Sequence, residues 1–254
     1  PGWQTMMRFY KSVKTKWMPI TWGANILGNV GFAIIDDVPM RTIPHAARLY
    51  LASQLSLEQR EKYKLTMTPE EEDLMAKILN SNALVGTFAG SELKMKIYES
   101  MRKHLVGPEK SIPERVMQMM NVQKDTIQYI NDKVGKVKNA AEQANNLTTE
   151  WYAMQDNVFR VASVLNQLGQ MADAGMKITQ KEVELVGKHA RSAFLDYDID
   201  AKGIRMLAET ELPFVRFTYA ATKYLGHIMR HKPWKLTSLL ILAGVLDAAM
   251  SAMS

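Results

Sequence analysis

Apolar residues recur at helical spacing wherever a period can be read in this chain, and the β-branched alternation that marks strands is hard to find. The pattern predicts an all-α fold. Its interruptions are Met18-Pro19, Val38-Pro39, Ile43-Pro44, Thr68-Pro69, Gly86 to Gly90, Gly107-Pro108, Gly175, Asp196 to Gly203, Pro213 and Lys232-Pro233. Between them, Ile43 to Leu65 reads as one helix with Pro44 in its first turn. Thr68-Pro69-Glu70-Glu71 reads as a helix start: a capping hydroxyl, a proline at the first position, then acids against the helix dipole. Ser91 opens another helix that ends near Leu105.

From Ile112 to about Asn145, the residues Val116, Met119, Met120, Gln123, Ile127, Ile130, Val134 and Val137 repeat at threes and fours, predicting a long amphipathic rod. A second rod, capped by Thr148 or Thr149 and reaching about Ala174, carries Trp151, Met154, Val158, Val161, Ala162, Leu165 and Leu168 on one stripe. The two form a predicted helical hairpin. A boundary near Gly107 to Ser111 separates an N-terminal helical region, 1–107, from a second region, 108–254, made of the hairpin, an aromatic-rich stretch and a C-terminal apolar helix.

Two runs depart from the amphipathic rule. Trp17 to Ile35 holds no charged residue over 19 positions, follows Lys11, Lys14 and Lys16, and precedes Asp36 and Asp37. That length approaches a bilayer span, and Gly23, Gly28 and Gly31 allow close neighbours. Thr21, Asn25 and Asn29 lower its hydrophobicity, and Pro19 starts the helix two positions late, so a helix buried in a protein core fits the run as well. Leu236 to Met253 carries one charge, Asp247, and follows Arg230, His231, Lys232, Pro233, Trp234 and Lys235. A tryptophan beside cations suits a headgroup layer, while small residues in the last turns suit a helix docked on the core. On the membrane or assembly reading, contacts fall at Trp17, Trp22, Ile26, Leu27, Phe32 and Ile34 in the first run and at Trp234, Leu239, Leu240, Leu242 and Val245 in the second. Lys14, Lys16, Arg230, Lys232 and Lys235 would then meet anionic lipid or another phosphate.

Composition narrows the chemistry. The chain has 254 residues, a formal charge of +6, 47% apolar and 23% charged residues, a balance that argues for a folded core and against disorder. Cysteine is absent, which removes disulfides, thiolate catalysis and cysteine-based metal sites. The charge excess is compatible with phosphate-bearing partners and also with a simple solubility role. No secretory signal pattern stands at the start, and a first residue other than Met points to part of a longer chain.

Catalytic constellations are poor. His45, His104, His189, His227 and His231 form no His-Glu-x-x-His pair, and neither a Gly-x-Ser-x-Gly elbow nor a phosphate-binding glycine loop is present. His227 and His231 share a helical face, but Arg230 and Lys232 beside them oppose a cation. Asp196, Asp198 and Asp200 begin like a calcium loop, yet Lys202 follows and no bidentate Glu arrives at the needed spacing. A turn between helices is the better account, before the aromatic cluster Leu212 to Tyr219. No catalytic, cofactor or metal residue is expected.

Lys14-Thr15-x-x-x-Pro19-x-Thr21-x-x-x-Asn25-x-x-x-Asn29 resembles a motif of very large proteins carried inside phage virions. Trp22 stands where that pattern has His, and Met18 where it has Asn. Trp151-x-x-x-x-Asp156-x-x-Phe159-Arg160-x-Ala162 and Ala190-x-x-x-Phe194-x-Asp196-Tyr197, followed by Leu212-Pro213-Phe214, resemble later landmarks in the same order, so the likeness covers roughly residues 14 to 219. It implies an internal virion, or ejection, protein of a short-tailed phage. Such a protein is packaged near the portal and expelled into the host envelope, where copies help form a conduit for the genome. The implied partners are further copies, other ejection or portal and tail proteins, and the host membrane. Two other readings remain: a DNA-contacting helical scaffold inside the capsid, and a noncatalytic accessory domain of a virion enzyme such as an RNA polymerase. Local helical contacts and eighteen methionines suit a chain that must unfold and repack.

Overall fold

The computed structural model describes residues 19–81, 83–84, 91–105, 111–134 and 140–194, together with 222, 224–226, 228–230, 232–237, 240–241 and 244 of the C-terminal segment. Among these residues the regular structure is helical and no strand occurs, so the fold is all-α. The helices are α1 (Pro19–Ile35), α2 (Thr42–Ser53), α3 (Leu57–Lys62), α4 (Pro69–Asn80), α5 (Ser91–Leu105), α6 (Ile112–Val134), α7 (Ala140–Asp173) and α8 (Gln180–Ala193).

Local sequence explains most of these limits. Thr68 accepts from the Glu71 backbone N–H at 3.2 Å while the Glu71 carboxylate accepts from the Thr68 N–H at 2.9 Å, a reciprocal cap that starts α4 at Pro69. The same device overturns the single helix expected from Ile43 to Leu65. Ser56 and Gln59 form a capping box that opens α3 as a separate helix. The second predicted rod starts earlier than expected: α7 is already helical at Ala140, before Thr148 and Thr149, while residues 135–139 lie outside the described residues. The two threonines lie within α7 and do not start it.

α7, 34 residues or about 51 Å long, is the spine. It packs against α1, α2, α6 and α8, while α5 pairs with α6 and α4 touches α2 and α8. The expected stripes face inward: Val116, Met119 and Ile130 of α6 are buried, as are Trp151, Met154, Val158, Val161, Ala162 and Leu168 of α7. One buried cluster joins side chains from α1, α2, α4, α5, α6, α7 and α8, and so draws on both sides of the boundary expected near residue 107.

α1 belongs to that cluster. Ile26, Val30, Ala33 and Ile35 are buried, and Leu27, Phe32 and Ile34 pack against the core. No helix among the described residues is long and apolar enough to cross a membrane.

Helix α8 approaches the turn after α4 closely at Gly187. A Cβ there would meet Ser81 Oγ at 2.7 Å, Ala83 Cβ at 3.0 Å and Ser81 Cβ at 3.3 Å. Gly187→Ala is expected to destabilise the protein by about 1–3 kcal/mol, the usual cost of overpacking. A lower urea midpoint with an unchanged slope is the expected result. An unchanged midpoint would show that α4 and α8 are less closely packed.

Candidate functional site

Among the described residues, a concentration of bonded polar side chains lies where α1 ends. The Val38 N–H donates to Ala33 O at 2.8 Å and the Asp37 N–H to Ile34 O at 3.3 Å, and Asp37 has a left-handed φ of 58°. This is the Schellman ending, with Asp in a place usually taken by Gly. It sets two carboxylates, Asp36 and Asp37, against the negative end of a helix dipole, where cations are favoured and acids are not. Basic and hydrogen-bonding groups from three other elements gather there.

Asp36 turns inward and is 8% exposed. Its Oδ2 accepts from Ser163 Oγ of α7 at 2.5 Å and from Gln167 Nε2 at 3.4 Å, and its Oδ1 lies 2.6 Å from His189 Nε2 of α8. The hydrogen bond to Asp36 raises the His189 pKa above its ordinary value; partial burial and the charge of Lys232 oppose this, and the charge of Asp36 reinforces it. A serine, a histidine and an aspartate thus meet, but the carboxylate stands between the hydroxyl and the imidazole. A serine nucleophile is activated by a direct bond to the imidazole. Ser163 is also fully buried. The arrangement fits a clamp joining α1, α7 and α8.

Asp37 turns outward and binds the C-terminal segment. Lys232 Nζ lies 3.1 Å from its Oδ2 and 3.4 Å from Ile35 O; Lys235 Nζ contacts Oδ1 and donates to Ile34 O at 2.9 Å. Burial pushes the Asp37 carboxyl up, yet hydrogen bonds from Lys235 and Lys232 and their charges outweigh it and hold the pKa below the usual value. The two lysines also take up carbonyls that a helix end leaves unbonded. Tyr224 stacks edge-on against Phe32, ring centroids 5.3 Å apart, and Ile228 is buried. Tyr224, Ile228, Lys232 and Lys235 form the inner side of this segment. On its other side Leu225, Met229, Trp234, Leu240 and Ile241 are 43%, 61%, 63%, 74% and 63% exposed, with Arg230 exposed among them.

The expected contact residues therefore divide. Ile26, Leu27, Phe32 and Ile34 serve the core, whereas Trp234 and Leu240 reach solvent. Of the expected phosphate contacts, Lys232 and Lys235 are engaged by Asp37 and the end of α1, and Arg230 is exposed. Lys14, Lys16, Trp17, Leu239, Leu242 and Val245 lie outside the described residues, as does the side chain of Trp22. The acidic turn at 196–200, the aromatic cluster at 212–219, His227 and His231 also lie outside them. Among the described residues no group of acids and histidines could hold a metal.

Several residues of the expected phage-protein motifs meet in the core, and the others lie outside the residues whose side chains are described. Asn29 Nδ2 donates to Asp156 Oδ1 at 2.9 Å, Arg160 donates to Phe194 O at 3.3 Å, and the rings of Phe159 and Phe194 lie 6.0 Å apart. Trp151, Ala162 and Ala190 are buried around them. Periodicity singles out none of Asp36, Asp37 or His189. The available signal was an Asp-Asp pair directly after an uncharged run, which needs cations supplied from elsewhere.

The His189 pair gives a signed pH dependence. A folded-state pKa raised above 6.5 stabilises the fold fully below that value, and the gain is lost as pH rises through the folded pKa. The melting-temperature advantage of the wild type over His189→Gln is expected to be larger at pH 5.5 than at pH 8. Because the imidazole is half exposed, solvent screening keeps the effect modest. An advantage that grows with pH would contradict the pairing. No protein-family model, curated protein or solved structure matches the chain.

Proposed function

We propose that this chain is a helical structural part of a phage ejection apparatus, associating with further copies and with portal or tail proteins and contacting the host membrane during genome delivery. The ordered motifs from Lys14 to Phe214 support the phage reading. The observation that carries membrane contact is the exposed row Leu225, Met229, Trp234, Leu240 and Ile241 on a segment that also bears Arg230, Lys232 and Lys235.

An apolar row beside cations favours attachment in the interface plane: the side chains enter the acyl boundary and the cations face headgroup phosphates. α1 has no part in this contact, since its apolar side chains are used in the core. The chain would reside in the virion interior and, after ejection, in the host envelope. Its part is assembly and attachment, with no reaction performed.

Flotation with vesicles tests the membrane role. The wild-type chain is expected to rise with phosphatidylglycerol-containing vesicles and to stay down with phosphatidylcholine alone. Replacing Trp234, Leu240 and Ile241 together by Ser should lower binding several-fold. Failure of the wild type to float at physiological salt would remove the membrane role. Duplex DNA binding with a steep salt dependence in its place would favour the capsid scaffold.

A further inference from the structure

The two lysines nearest the exposed apolar row face inward. The Lys235 side chain is only 12% exposed, and both ammonium groups are shared between the Asp37 carboxylate and carbonyl oxygens at the end of α1. An oxyanion facing two ammonium groups is also how a lipid phosphate would be held. Asp37 thus occupies the position of the anion that these lysines would otherwise bind.

We propose that Asp37 masks a two-lysine site for an anionic membrane surface, and that lipid phosphates displace it, freeing the segment beyond Pro233 as it binds. The proposal rests on the membrane-contact reading above. Three features make the exchange feasible. The Asp37 side chain is 54% exposed, so its carboxylate regains water readily once released. The Lys232–Asp37 pair is exposed on both sides, at 37% and 54%, and such pairs contribute little net stability, while a charged surface offers many phosphates where Asp37 offers one carboxylate. The segment is also held unevenly. Tyr224 against Phe32 and the buried Ile228 anchor its first part, while Lys232 and Lys235 are its described polar ties to α1 around the Pro233 break.

Loss of charge on Asp37 at mildly acidic pH would not open this latch. Its lowered pKa keeps the pair intact above the ordinary carboxylate range, and the contribution is lost only as pH falls through the folded value. The other groups around it are Asp36 and His189, which are paired with each other, and Tyr224, whose ionisation is pushed up by burial and by both aspartates. Competition by an external anion is the remaining trigger. Lipid is favoured over nucleic acid because the same segment carries an exposed apolar row on its outer side, which a bilayer would bury and a duplex would not.

Asp37→Asn tests the mask. Asparagine tolerates the left-handed backbone at φ 58°, so the change removes charge without adding strain. In the full chain, tryptic cleavage after Lys235 is expected to accelerate several-fold relative to wild type. Affinity for phosphatidylglycerol vesicles should rise several-fold, and Lys232→Gln with Lys235→Gln should bind more weakly than wild type. Wild-type cleavage and affinity in Asp37→Asn would overturn the mask while leaving the membrane role standing. If neither protein floats, the membrane reading fails and this proposal falls with it. A gain in duplex affinity alone would overturn the lipid assignment.

Discussion

The end of α1 places two carboxylates where a helix dipole is already negative and where several carbonyls have no helical partner. Among the described residues, the polar groups that contact this point bring a donor or a positive charge: Ser163 and Gln167 from α7, His189 from α8, Asn166 to the Asp37 carbonyl, and Lys232 and Lys235 from the C-terminal segment. The division of labour follows from orientation. Asp36 points inward and ties three helices; Asp37 points outward and ties a segment whose outer side is apolar. Cohesion of the helices and attachment of the C-terminal segment are therefore adjacent in sequence and linked through one turn.

The spine α7 supplies the polar bonds on which α1, α2 and the end of α8 converge. Asp156 receives Asn29, Asn157 donates to the Tyr50 hydroxyl at 2.9 Å, and Arg160 reaches the last carbonyl after α8. Buried polar groups that bond across helices fix rotation and register, which apolar stripes alone leave loosely specified. Asn29, Asp156 and Arg160, with the Phe194 carbonyl, are of this kind and join α1 to α7 and α7 to α8.

Much of the fold was legible in sequence because helical burial writes a period that can be read directly. The inward stripes on α6 and α7, the start of α4 at Pro69 and the break at Gly175, which has a φ of 74°, all follow from spacing or from residues with restricted backbones. The start of α3 is marked in the sequence by the capping signature of Ser56 and Gln59, but Leu57–Lys62 is too short and too polar to show a period that would separate it from α2. The site was harder to read. His189 and Asp36 are 153 residues apart, and Lys235 and Asp37 are 198 apart. No local pattern encodes such pairings. The uncharged run of α1 was ambiguous for the same reason: a helix surrounded by protein and one surrounded by lipid have similar compositions, and only its neighbours distinguish them.

Burial of α1 in the same core as α7 is the claim on which the rest depends, because it commits the apolar side chains of that helix to protein contacts and sets the end of α1 against α7, α8 and the C-terminal segment. Native-state hydrogen exchange in water, without lipid, tests it most directly. Amides from Val30 to Ile35 should exchange as slowly as those of Val158 to Val164, through opening of the whole core. Exchange of the α1 amides many-fold faster than those of α7 would show that α1 is not part of the core and would contradict this account.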